Sequence, residues 1–286
     1  MEKEVVNVQN FDLKETLTCG QTFTWSRTQG ELYGNGEDVF YNFYNRKPVI
    51  TWQKDNQLHI KTKADIEEVK KALGLQHSLE NIFDSFPEDP LLEKAREKLW
   101  GLRIVQDEFF PCLISYLLSP QMRIPRIKEM YNRIAEEYGE EIEFEDVKMH
   151  RFPTPEELAK ASEEELRDLG VGYRAEYIDK TTDILLQDFE PDTLRQMSYG
   201  KARKEMKKLY GVGNKVADCI LLFSQGFYQA YPLDTWAKKA VKKHYPELHA
   251  DNYTQTSENM RKYFGENSGY AQEYIFHAAR KGLIEL

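Results

Sequence analysis

The sequence predicts an α+β fold, with an antiparallel sheet of hairpins first and a helical body after it. Three observations predict it. Short aromatic and β-branched runs separated by turn residues fill positions 1 to about 63. From Ala64 the apolar residues recur at helical spacing. Capping boxes and glycine stops then punctuate the remainder. The period change and the Pro87–Pro90 stretch give two domains, 1–99 and 100–286.

Taken in order, Val39–Tyr44, Val49–Trp52 and Leu58–Thr62 read as strands. Gly34-Asn35-Gly36, Arg46-Lys47-Pro48 and Lys54-Asp55-Asn56 read as the turns between them. Asp65–Leu73, Pro90–Leu99, Phe109–Leu118 and Ile124–Tyr138 read as helices. Thr154-Pro155-Glu156-Glu157 and Ser162-Glu163-Glu164-Glu165 are capping boxes that start two more. The second of these ends at Leu169-Gly170-Val171-Gly172, and another helix begins near Tyr173.

The 286 residues carry 39 basic and 48 acidic side chains, a net charge of −9. With 41% apolar residues the chain can bury a sizeable core, which excludes global disorder. No apolar run reaches membrane-spanning length, and Met-Glu-Lys-Glu lacks the order of a signal peptide. Cys19, Cys112 and Cys219 are too few for a disulfide framework, so a cytoplasmic location and no membrane partner are expected. The acidic balance taken whole argues against a polyanionic partner.

Local charge reverses that inference. Residues 201–243 hold ten basic against three acidic side chains, a net of +7 that leaves −16 on the rest. This island surrounds Gly211-Val212-Gly213-Asn214-Lys215, which repeats Gly170-Val171-Gly172-Tyr173-Arg174 at a distance of 41 positions. Helix, Gly-x-Gly, helix reads either as a glycine cap between packed helices or as a hairpin that turns free N–H groups toward phosphates. The surrounding island favours the phosphate.

Lys215 follows the second hairpin, and Asp234 lies 19 positions further on, beyond the apolar helix Val216–Phe223. A lysine becomes a nucleophile when desolvation or nearby positive charge makes it neutral, and an aspartate can stabilise a developing cation. A surface lysine and an aspartate N-cap remain the plain alternative.

Five ordered segments resemble the 8-oxoguanine DNA glycosylases of the helix-hairpin-helix superfamily. They are Cys19-Gly20-Gln21-Thr22-Phe23-Thr24-Trp25, Ser119–Ile127, Gly170–Ala175, Leu209–Cys219 with Pro232-Leu233-Asp234, and Gly269–Phe276. The resemblance implies a twisted antiparallel sheet packed on the helical body, a monomer, and duplex DNA containing 8-oxoguanine as partner. It implies base excision with AP lyase activity, since Lys215 is absent from monofunctional alkylbase relatives. A glycosylase for another damaged purine and a non-catalytic DNA-binding module are the alternatives.

The resemblance also implies residue roles. Gly20 would accept the N7–H of 8-oxoguanine through its carbonyl. Gln272 would read the Watson–Crick edge, with Phe276 and Cys219 on the two faces of the base. Asp234 would stabilise the oxocarbenium-like sugar, and Lys215 would attack C1′ to form a Schiff base. Tyr173 would wedge into the duplex, Arg126 and Arg174 would meet the orphaned base, and Gly211 and Gly213 would approach the DNA backbone. Gln121 stands where eukaryotic members carry asparagine, and Trp236 where they carry a phosphate-contacting histidine. No cofactor is implied. The absence of cysteines after Cys219 excludes a four-cysteine iron–sulfur cluster there, and a monovalent cation at the carbonyls of Leu209 and Val212 is implied.

Overall fold

The computed structural model describes residues 2–28 and 38–286, so the Gly34-Asn35-Gly36 turn lies outside the described residues. Among them, β1 (Glu2–Asn7), β2 (Ser26–Arg27), β3 (Val39–Tyr44), β4 (Lys47–Lys54) and β5 (Gln57–Thr62) form one antiparallel sheet ordered β1-β5-β4-β3-β2. The β3–β4 turn falls at Asn45-Arg46, one residue earlier than the sequence suggests, with φ of 48° and 62°. Positive φ at both positions matches the twist of the flanking strands. Lys47 and Pro48 therefore lie inside β4, opposite Tyr44 and Phe43.

Both sheet faces are covered, which is why these strands read as apolar runs and not as clean alternation. One face packs Phe40, Tyr44, Val49, Leu58 and Ile60 against Leu13, Leu17, Val69 and Leu73. The other packs Val39, Phe43, Ile50 and Trp52 against Phe144, Val147 and Met149. The first cover includes α1 (Leu13–Thr18), a helix inside the stretch read as strands. Asp12 caps it at the Glu15 N–H, and Leu13, Thr16 and Leu17 face inward. At six residues it is too short to show a helical period in the sequence.

Helices α2 (Ile66–Ala72), α3 (Leu79–Asp84) and α4 (Pro90–Leu99) follow, capped by Asp65, Ser78 and Asp89. Next come α5 (Phe109–Leu118) and α6 (Ile124–Tyr138), then the hairpin β6 (Glu140–Phe144) and β7 (Val147–Arg151) that covers the sheet. Both capping boxes form, at α7 (Pro155–Leu158) and α8 (Glu163–Leu166). The chain continues through α9 (Arg174–Gln187), α10 (Tyr199–Met206), α11 (Asn214–Gln225), α12 (Thr235–His244), α13 (Tyr253–Phe264) and α14 (Ser268–Arg280). Among the described residues no helix is long and apolar enough to cross a membrane.

The nearly all-apolar α5 and the largely buried α11 pack together at the centre of the helical body, with α14 against α4 and α12. Cys19 and Phe23, from the N-terminal segment, belong to this same core.

The hairpin helices are tied to the body by a buried charge. Asp218 on α11 accepts hydrogen bonds from Tyr199 Oη at 2.7 Å, Arg203 Nε at 2.6 Å and Tyr253 Oη at 2.7 Å. Arg203, counted in the basic island, is therefore engaged internally. Removing the carboxylate strands the Arg203 charge and two hydroxyls. We expect Asp218→Ala to lower unfolding free energy by about 3 kcal/mol, measured by urea denaturation.

Candidate active site

The hairpin between α10 and α11 brings Lys215 to the first turn of α11. Gly211 has φ +79°, and a Cβ there would lie 2.6 Å from the Tyr177 ring, so both conformation and close approach require glycine. Gly213 is extended and precedes Asn214 as the N-cap residue of α11. No side chain caps that helix, which leaves its first N–H groups available.

Behind the hairpin lies a cavity of about 440 Å³. It brings together Gly20, Lys215, Cys219, Asp234, Gln272 and Phe276, six residues spread from one end of the sequence to the other. Gln121 and Trp236 also line it. Lys215 Nζ donates to Ser119 Oγ at 3.2 Å and sits 4.8 Å from the centre of the Tyr116 ring. Ser119 in turn donates to the Tyr116 carbonyl at 2.8 Å, so its lone pairs face the lysine.

Asp234 is the N-cap of α12, accepting from the Ala237 N–H at 2.7 Å. The capping alternative and the cavity position are both true of this residue. Burial raises its carboxyl pKa, while the Ala237 N–H and the Lys215 charge oppose the rise. Burial also pushes the Cys219 thiol up to about 12, despite Lys215 nearby, so the thiol stays neutral and forms an apolar wall. Gln272 is buried and its Oε1 has no partner among the described residues. A buried acceptor of this kind calls for a donor from a bound molecule.

The residues that follow Gly20, to which sequence reading gave no individual role, are scaffolding. Gln21 donates to the Thr16 carbonyl at 2.9 Å and the Arg103 carbonyl at 2.6 Å, and accepts from the Val105 N–H at 3.0 Å. The Gln21 carbonyl accepts from Tyr116 Oη at 2.6 Å. Phe23 packs edge-on against Tyr116, and Trp25 is fully buried. Together they fix Gly20 at φ +108°, where an added Cβ would lie 2.6 Å from Ile124 Cδ1 and 3.7 Å from Phe276 Cε1. We expect Gly20→Ala to strain the turn and lower unfolding free energy by about 1–3 kcal/mol, measured by urea denaturation.

The outer rim is formed by the loop before α6 and the loop before α9. Gln121 is exposed with φ +58°. Arg126 donates to the Gly170 carbonyl at 3.0 Å and pairs with Glu129 at 2.7 Å. Arg174 is buried, donating to the carbonyls of Pro120 and Val171, so the two arginines tie the loops to each other. Tyr173 and Trp236 are exposed. The Arg174 guanidinium lies 4.5 Å over the Tyr173 ring. Tyr173 also packs edge-on against Tyr177, and Tyr177 against Tyr210, so an aromatic ladder joins the two Gly-x-Gly turns.

This arrangement has known counterparts. Residues 4–113 match the 8-oxoguanine DNA glycosylase N-terminal domain, and residues 114–266 match the HhH-GPD superfamily base excision DNA repair protein family. The 8-oxoguanine glycosylase/lyase of Clostridium acetobutylicum, solved with double-stranded DNA containing cytosine opposite 8-oxoguanine, is 31% identical with a TM-score of 0.88. The match covers 99% of this chain and 98% of that one. The "Probable N-glycosylase/DNA lyase" of Methanothermobacter thermautotrophicus is 28% identical over 98% of this chain and 97% of its own length. The N-glycosylase/DNA lyase of Saccharomyces cerevisiae is 29% identical over 85% of this chain and 70% of its own. With both segments matched and the cavity built from both, the chain belongs to the 8-oxoguanine DNA glycosylase/lyase family of the HhH-GPD superfamily.

Proposed function

We propose that this chain flips 8-oxoguanine out of duplex DNA, excises it, and cleaves the resulting abasic strand. The observation that carries the reading is the single cavity in which Lys215 and Asp234 meet Gly20, Gln272, Phe276 and Cys219. A base within a duplex is out of reach of such a cavity, so the nucleotide must leave the stack. Tyr173 fills the gap it leaves, and Arg126 and Arg174 give up the loop carbonyls they hold and turn toward the orphaned base. The N–H groups at the start of α11 and the backbone at Gly211 and Gly213 hold phosphate. Trp236, with Lys239 above its ring at 5.8 Å, packs along the strand in place of a histidine contact.

In the cavity the base lies between Phe276 and Cys219. The Gly20 carbonyl accepts N7–H, which guanine lacks, and Gln272 Oε1 gains its missing donor from the Watson–Crick edge. As the C1′–N9 bond breaks, its electron pair leaves with the base, and the Asp234 carboxylate faces the positive sugar. Lys215, once it has lost a proton, forms the N–C1′ bond. Opening of the sugar gives the Schiff base. Loss of a 2′ hydrogen then expels the 3′ phosphate. The carbonyls of Leu209 and Val212 would hold a monovalent cation, which would add positive charge on the DNA-facing side of the hairpin. The Leu209 carbonyl already accepts the Val212 N–H at 3.2 Å and keeps a second lone pair for the cation. A monomeric enzyme with a DNA substrate works at the chromosome, in the cytoplasm of a bacterial cell or the nucleus of a eukaryotic one.

Matched duplexes carrying 8-oxoguanine or an alkylated purine test the reading. Excision and strand cleavage at 8-oxoguanine are expected. Release of the alkylated purine alone would overturn the substrate, and binding without release of either base would overturn the activity.

A further inference from the structure

The base cavity holds a carboxyl that the mechanism above does not use. Glu273 follows Gln272 on α14, lines the same cavity and is 1% exposed. Its Oε1, like that of Gln272, has no hydrogen-bond partner among the described residues. Among the described residues it enters no ion pair. Its side chain instead meets the Cys19 thiol, the residue immediately before Gly20. A buried acid therefore stands directly behind the turn whose carbonyl faces the base.

We propose that Glu273 is a specificity residue of this pocket: a negative charge on its carboxyl favours a flipped base that offers N7–H to Gly20 over one that offers a lone pair. This rests on the 8-oxoguanine reading of the cavity. The physical ground is short-range electrostatics in a dry site, where a fixed anion attracts the positive end of an N–H dipole and repels a nitrogen lone pair. The charged groups facing Glu273 are Arg280 on its own helix, Lys215 on α11 and Asp234 at the start of α12. The neutral acids around it are the thiols of Cys19 and Cys219 and the phenol of Tyr116.

Burial pushes the Glu273 carboxyl up to about 7, with Arg280 and Lys215 pulling it back and Asp234 adding to the rise. The group is neutral below that value and charged above it. Discrimination for N7–H must then grow as pH rises through neutrality. Linkage makes the effect reciprocal, so 8-oxoguanine in the pocket favours loss of the Glu273 proton and guanine favours its retention.

The test measures affinity of the full chain for duplexes carrying the non-cleavable 2′-fluoro analogues of 8-oxoguanosine or guanosine opposite cytosine. Ionic strength is held constant while pH is varied across neutrality. In the wild type the preference for 8-oxoguanine should widen about fivefold from the acid to the basic side. In Glu273→Gln, which keeps the shape and cannot ionise, the preference should be flat. A flat wild-type preference overturns the proposal without any variant, and so does an unchanged slope in Glu273→Gln. A wild type that neither prefers nor excises 8-oxoguanine at any pH overturns the underlying reading as well, which separates the two failures.

Discussion

Lys215→Gln is expected to abolish the covalent adduct trapped by borohydride on an 8-oxoguanine duplex, and to slow base release by at least about 10³-fold. Only an amine can form the imine that borohydride reduces, so the adduct reports this side chain directly. The surrounding geometry should survive the change. Lys215 gives one hydrogen bond, to Ser119 Oγ at 3.2 Å, and lies over the Tyr116 ring. Glutamine can keep the first with its amide. DNA affinity should fall only slightly, because the exposed lysines at 201, 204, 207, 238 and 239 supply the long-range attraction. An adduct that persists in Lys215→Gln would move the nucleophile elsewhere. Loss of binding in parallel with loss of adduct would reduce Lys215 to a DNA contact.

Asp234→Asn should lower base excision by about 10²- to 10³-fold with little change in stability or DNA affinity. This substitution separates the two roles of the residue. Asparagine caps a helix as well as aspartate does, so the bond to the Ala237 N–H at 2.7 Å is retained. Only the negative charge is removed. Asp234→Ala, by contrast, should also lose about 1 kcal/mol of stability with the cap. Melting temperatures, duplex affinities and single-turnover rates on the two variants check this. If Asp234→Asn excises as the wild type does, capping is the whole of its function.

The parts read directly from sequence were those with a local cause. Thr154 and Ser162 announce helix starts because a short polar side chain meets the free N–H groups two or three residues on. The Gly-x-Gly turns announce themselves because only glycine takes the positive φ found at Gly170, Gly172 and Gly211 without strain. The elements missed were short or rescued by distant partners. Helix α1 hides among strands, and the β6–β7 hairpin interrupts a helical stretch because β3 and β4 need a cover for their second face. The basic island was overcounted for a similar reason, since Arg203 turns inward to Asp218.

The two hairpins and the basic island were legible in the linear string, while the roles of Lys215, Asp234, Cys219, Gly20, Gln272 and Phe276 came through the family resemblance. The spacing of Lys215 and Cys219 along the chain decided that one helix would carry both the amine and the thiol, because four residues make about one turn. What only the tertiary structure decided is that Gly20, from the first domain, faces Phe276 from the last helix across Ile124. It also decided that Gln21 is a strut and that Glu273 is buried beside the Gly20 turn, outside any ion pair among the described residues. Such facts depend on which long-range surfaces pack together. Burial and partner identity are properties of the assembled core, and no local pattern in the chain encodes them.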